Sequence, residues 1–267
     1  MSVLGGFNIL LLLWVARKVF SDSSNSSGFM VYRKRQLWLS ALYTLGCASR
    51  SFVIRSDVNR YSMFDSWITN VMVGRTVATV AEICFVVQWA LLLHLIASRR
   101  NIDWGRYLSW TLVPLIVIAE IASWYAVLTT NRLGNIIEES LWTITAMLFM
   151  IGLAICYAKV GPHVKKCLKF GFFSLISYIL FMVTVDVPNY ISLWYQAEHK
   201  GQVYLTIEQG LQDIQRYRVT GLWEDWRYEM VWMSLYFSLA VWVSLAMVLW
   251  PKFERDPISE NGSQKNV

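Results

Sequence analysis

The sequence predicts an all-α fold, a polytopic helix bundle embedded in a membrane. Of its 267 residues 56% are hydrophobic and only 16% are charged. Soluble domains carry about 45–50% apolar and about 25% charged residues. The apolar residues also gather in long runs, and a helix rising about 1.5 Å per residue needs about 20 of them to cross the hydrocarbon. No ten-residue alternation recurs, so membrane-barrel strands are not expected. The same balance excludes a disordered chain and a coiled coil. Fourteen glycines and five prolines exclude collagen-like material.

Seven spans are expected, near 3–20, 36–54, 68–97, 107–129, 137–158, 170–194 and 229–250. The first lacks a basic leader and a small-residue cleavage site and ends at Arg17 and Lys18, so it reads as a retained helix, short for a full span. With the second it is the weakest of the set, which leaves six spans as the alternative. The third and sixth exceed the minimum, so tilt is expected. Residues 1–250 form one transmembrane domain and 251–267 a polar cytoplasmic tail, disordered from Pro257 onward. Residues 21–28 are Ser-rich and expected to be flexible. The longest connection, 196–228, carries Ile207, Leu211 and Ile214 at helical spacing, which predicts a short amphipathic helix on the outer surface.

Orientation follows from the basic residues. Fifteen lie in the 17–36, 98–106 and 159–169 connections and in the tail, against eight on the other side, and 159–169 has no acid. The positive-inside rule then puts the N-terminus outside and the C-terminus in the cytoplasm. The net charge of +6 reflects this placement and not nucleic-acid binding. Localisation is integral membrane: the plasma membrane, or the inner membrane in a bacterium. Of the fourteen tryptophans, Trp67, Trp104, Trp194, Trp223, Trp226 and Trp250 fall where interfaces are expected and read as an aromatic belt. Cys47, Cys84, Cys156 and Cys167 form no C-x-x-C pair and read as small buried hydrophobes.

Ionisable residues inside spans carry the functional content, because each costs about 2.5–3.5 kcal/mol at mid-bilayer and persists when paired, hydrated or needed. The third span holds Arg75, Glu82, Gln88 and His94, the fourth Glu120, and the sixth Asp186 with Pro188 and Asn189 after it. Glu82 lies about 10 Å deeper than Arg75, and Asp186 about 12 Å below Trp194. Glu82, Glu120 and Asp186 therefore fall at one height in the outer half. An outward-opening polar pocket between the third, fourth, fifth and sixth helices is expected. Arg75 and Glu82 are too far apart for a direct pair and should each pair with another helix. Pro188 removes a backbone donor beside Asp186, a local break that suits a bound ion or a held proton. Glu138, Glu139 and Glu229 read as solvated helix starts favoured by the macrodipole.

Within this frame Glu82 and Asp186 are the candidate acid and base, with Arg75 the cation that separates their properties. Glu120, Asn189, Trp89 and Trp142 are candidate substrate contacts, the aromatic faces sheltering positive charge. The competing reading is that these groups only fix helix packing. The sequence does not identify a cofactor. Three histidines are too few for a histidine-box centre, and they lie at unequal heights for a bis-His haem. Metal spacing such as Glu-x-x-His is absent, as are nucleophile-elbow and phosphate-loop motifs. The last span has no Lys for a retinal Schiff base. The expected function is an integral-membrane enzyme acting by acid/base chemistry on a lipid or isoprenoid-like substrate. The alternatives are a non-catalytic subunit or assembly factor and a proton- or cation-coupled transporter. Expected partners are the bilayer, a hydrophobic small molecule and a protein docking on loop 196–228.

Overall fold

Helices begin and end close to where hydropathy changes along the chain. The computed structural model describes residues 1–21 and 27–250. The chain is mostly helical, with five helices long and apolar enough to cross a membrane. These are α1 (Ser2–Ser21), α3 (Val71–Arg99), α4 (Asp103–Thr129), α5 (Leu133–Tyr157) and the continuous rod Pro162–His199. That rod consists of α6 (Pro162–Phe181), a π-helical turn at Met182–Asp186, and α7 (Val187–His199). Helix α2 (Ser27–Phe52) is long but carries Arg33, Lys34 and Arg35 in its second and third turns. The last rod is α9 (Trp223–Val231), a second π turn at Trp232–Tyr236, and α10 (Phe237–Leu249). Between the two rods lies α8 (Ile207–Asp213).

Several boundaries move. Helix α2 starts at Ser27 and not near 36, so much of the 17–36 connection is helical; residues 22–26 of the Ser-rich stretch lie outside the described residues. Most of the lysine-rich 159–169 connection is the first turns of α6, because Pro162 sits at a helix start, where its missing N–H costs nothing. The polar tail also lies outside the described residues.

The packing is inverted relative to a water-soluble protein. Phe173, Leu180, Val183 and Leu239 are exposed on the rods, while Gln36, Gln88, Ser40 and Ser244 are fully buried. Exposed apolar faces are stable where lipid replaces water. Inside, several of these polar groups bond to one another. Gln36 Nε2 donates to the Gln88 carbonyl and Gln88 Nε2 to the Gln36 carbonyl, each at 3.0 Å. Ser244 Oγ donates to Gln88 Oε1 at 2.6 Å, tying α10 to α2 and α3. Helices α1, α2 and α10 pack together on one side and α3, α4 and α5 on the other, with α2 and α3 joining the halves. Trp67, Trp223, Trp104 and Trp250 are exposed near the two ends of the bundle. Trp226 departs from the expected belt. It is buried, its indole donating to the Thr220 carbonyl at 2.8 Å.

Segments at one end of the bundle form a cap that hydropathy did not reveal. Strands β1 (Arg55–Ser56) and β2 (Tyr61–Ser62) pair antiparallel, and β2 pairs in parallel with β3 (Arg218–Val219), a segment more than 150 residues away. Arg60, in the left-handed region at φ 56°, secures the turn. Its guanidinium donates to the Val127 carbonyl at 2.7 Å and reaches Asp213 at 3.3 Å. Helix α8 opens with a Thr206–Gln209 capping box, which satisfies two otherwise unpaired N–H groups. The expected apolar stripe does not bury as a unit. Ile207 and Leu211 are about half exposed, while Ile214 packs with Val71 and Val127. Gly210 decides this, because its backbone rests directly on the Leu128 carbonyl.

Asp57 sits at the centre of the cap, between Arg50 and Arg55 at 3.0 Å each. Burial raises its pKa, but the Arg50, Arg55 and Arg75 charges outweigh that and hold it below the ordinary carboxylate value. A carboxyl depressed in the folded state stabilises it above the unfolded value of about 3.9, and that contribution is lost as pH falls through the folded value. Asp57→Asn is therefore expected to loosen the cap at neutral pH, and wild type should loosen only below about pH 4. Hydrogen exchange at the Arg218 and Thr220 amides, which bond to the Arg60 and Ser62 carbonyls, reads both effects after correction for intrinsic rates. Equal protection in the two proteins at neutral pH would refute it.

Candidate functional site

Three helix ends meet beneath the cap. The start of α3, the end of α4 and the start of α5 lie together, and each carries a charged residue within a few turns of its end. Arg75, Thr79, Glu82 and Trp89 follow i, i+4, i+7 and i+14, so they line one face of α3. On α4, Glu120 lies nine residues before Thr129, about 13 Å below the end. On α5, Glu138 lies five residues in from Leu133. The three helices thus bring their charges to one level.

Arg75 is the hub. Its Nη2 lies 2.6 Å from Glu120 Oε2, 3.2 Å from Glu138 Oε1 and 3.5 Å from Glu82 Oε2. Thr79 Oγ1 donates to Glu120 Oε2 at 2.6 Å and accepts from the Trp124 indole at 3.1 Å. Asn135 Nδ2 donates to Glu138 Oε2 at 3.2 Å. Arg75, Glu120 and Glu138 are buried, whereas the Glu82 side chain keeps 19% exposure. Glu82 also has the longest contact to the guanidinium, so it is the least firmly held of the three.

Two expectations change here. Arg75 and Glu82 do touch, because two long side chains extend toward each other across the two turns between them. Glu138 and Glu139 are not solvated helix starts. Glu138 is buried against Arg75, and Glu139 is partly buried with its carboxyl against that of Asp186. Asp186 is the last residue of the π turn, where the widened helix carries it toward α5.

Below the carboxyl groups lies an aromatic floor. Phe85 and Trp89 stand one and two turns below Glu82 on α3. The Phe85 ring stacks on Tyr43 at 4.3 Å and meets Trp89 at 5.1 Å. Trp89 stacks on Phe149 at 5.2 Å and meets the Trp142 edge at 6.1 Å. All five rings are buried. Trp89 and Trp142 therefore lie beneath the acidic layer, whereas Asn189 is exposed on α7 and does not join it.

The oxygens of Glu82, Glu120 and Glu138 lie within 4.8 Å of one another, compact enough to hold a cation. The Arg75 guanidinium already stands among them, so the centre is built around an organic cation. Arg75 Nε and Glu120 Oε1 are buried without a hydrogen-bond partner among the described residues. Two clefts lie elsewhere: an apolar groove between α2 and α3 at Leu42, Gly46 and Val80, and a cleft in the cap at Arg60, Asp213 and Arg218. No family model matches the chain, and neither a curated protein nor a solved structure matches it significantly.

Charge balance sets what the arrangement can do. One guanidinium faces three carboxyls, and Glu139 and Asp186 add two more. Unbalanced charge in a low-dielectric interior is very costly, so protons or a cation must offset the surplus. The cluster has two parts. Glu120 and Glu138 are locked to Arg75, while Glu82, Glu139 and Asp186 form a partly exposed rim. Glu139 was not separable from ordinary helix-start acids by sequence pattern alone, whereas Asp186 stood out as an acid inside an apolar run beside Pro188. The usable signal was Arg75, a lone basic residue inside an apolar run, which needs more than one counter-charge nearby.

Proposed function

We propose that this is a seven-span membrane protein, N-terminus outside, and that its acidic centre performs acid/base chemistry on a lipid or isoprenoid-like molecule. One observation carries the reading: an excess of carboxyls over a single fixed guanidinium, directly above an aromatic floor. Carboxyls in unlike surroundings serve as proton donor and acceptor. Glu82 and Asp186, on the rim, are the acid and base. Glu82 stands 3.5 Å from the Arg75 guanidinium and Asp186 beside the Glu139 carboxyl, so the two acids sit in unlike surroundings. The rings of Trp89 and Trp142 stabilise positive charge that develops on an apolar substrate after protonation. Glu120 and Glu138 fix Arg75.

The test compares lipid extracts from membranes expressing wild type, Glu82→Gln and Asp186→Asn, using untargeted mass spectrometry at matched protein abundance. Wild type should change the extract relative to empty membranes, and both variants should lose at least about a hundredfold of that change, the usual scale of general acid/base catalysis. Extracts identical for wild type and empty membranes would overturn the enzymatic reading. Coupled proton or cation flux, lost in the same variants, would then favour a transporter.

A further inference from the structure

The Glu139–Asp186 pair sits on a seam that the acid/base reading leaves unused. The rod of α6 and α7 packs along its length on α5. It meets the last rod through side chains, Phe181 on Tyr236 at 6.3 Å and Phe170 on Trp250 at 6.5 Å. Both π turns open onto this seam. Phe181 directly precedes the first, and Tyr236 ends the second. A π turn widens a helix and weakens its local hydrogen bonding, and such turns recur at functional positions. Here two face each other across one ring contact. The rod itself is only 11% buried along its apolar window, so its outer side belongs to lipid.

Behind the Phe181–Tyr236 contact lie the two carboxyls, side by side. Among the described residues neither is within ion-pair distance of a basic group. The groups that face them are Glu138 on α5, Glu82 and the more distant Arg75 on α3, Tyr178 on α6 and Tyr236 on the last rod. The Tyr178 hydroxyl is buried, makes no well-formed hydrogen bond among the described residues, faces the Tyr236 hydroxyl, and lies within electrostatic range of both acids. A donor with only the neighbouring Tyr236 hydroxyl to face, beside two adjacent carboxyls, marks a place where a ligand's polar group fits.

We infer that the seam between the two rods is a lateral entrance. Through it a lipid-soluble molecule with a small polar head reaches the adjacent Glu139 and Asp186 carboxyls directly from the bilayer. Phe181 and Tyr236 form its door, and the Tyr178 hydroxyl receives the polar head. This rests on the proposed acid/base site but concerns access, which can be measured without knowing the substrate.

The probe is dicyclohexylcarbodiimide, which partitions into lipid. The O–H of a protonated carboxyl adds across its N=C=N group, and the adduct rearranges to a stable N-acylurea. The full chain in lipid nanodiscs is treated with this reagent or with a water-soluble cationic carbodiimide, and modified peptides are located by mass spectrometry. Glu139 or Asp186 should be modified by the apolar reagent at least tenfold faster than by the water-soluble one. Glu120 and Glu138, held by Arg75, should stay unmodified. Phe181→Ala, which opens the door without touching the acids, should speed modification several-fold. Absence of label on the pair, equal reaction with the water-soluble reagent, or label spread to Glu120 and Glu138 would overturn the inference. Labelling of the pair with unchanged lipid extracts would keep the entrance and remove the enzyme. Changed extracts with no labelling would do the reverse.

Discussion

Arg75→Leu is expected to destabilise the protein by about 3–5 kcal/mol, the usual result of removing one member of a buried ion pair. The leucine fills much of the volume, so the loss is electrostatic. Glu120 and Glu138 remain buried with no cation, and Thr79 and Asn135 supply only neutral hydrogen bonds. Thermal unfolding in nanodiscs reads the effect. Arg75→Lys should recover part of it, since an ammonium keeps the charge but cannot spread donors over three helices. The decisive comparison adds Glu120→Gln and Glu138→Gln to Arg75→Leu. With both buried partners neutral and only the partly exposed Glu82 left, most of the lost stability should return, because an uncharged buried pair avoids the desolvation cost. If Arg75→Leu unfolds at the wild-type temperature, the network contributes nothing to holding α3, α4 and α5 together.

Gly134→Ala should be among the most damaging single-methyl changes in the bundle. A Cβ at Gly134 would lie 2.4 Å from the Ala122 carbonyl oxygen and 2.7 Å from the Ala126 nitrogen. Both are main-chain atoms, so no side-chain rotation relieves the clash, and α4 and α5 must separate. Overpacking costs about 1–3 kcal/mol, and the rigid contact here favours the upper end. The displacement also moves Glu138 away from Arg75, since Glu138 is one turn beyond Gly134. Gly171→Ala on α6 is the control: its Cβ would meet only Leu153 Cδ1 at 3.8 Å. It should be neutral or slightly stabilising, because alanine favours helix. Unfolding temperatures of the two variants, set against wild type, separate close packing from helix propensity. Similar temperatures for both would disprove the argument.

Much of the architecture was legible in the apolar runs, because a helix in lipid must satisfy its own backbone and so needs a long uninterrupted stretch. Arg75, Glu82 and Glu120 were also legible, since charges inside such runs stand out. Glu138 and Glu139 were not. They sit five and six residues into their helix, where an acid is favoured by the dipole whether or not anything faces it. Only the approach of α4 over Gly134 shows that Glu138 meets a guanidinium. The cap was illegible for a related reason. Its strands are two residues long, too short for an alternating pattern, and β3 lies far along the chain from its partner. Trp226 was misplaced because position near an interface does not say which way a ring points.

By itself, then, the sequence determined that the chain is helical and suited to a membrane, and that acids crowd toward one end of it. Both follow from local chemistry: runs of apolar residues, and charges that break them. The tertiary structure decided which acids share Arg75 and which are left to each other, and it brought both widened helical turns to one seam. Those are contacts between segments far apart in the chain, and their geometry is set by glycine-scale packing between helices, which hydropathy does not encode.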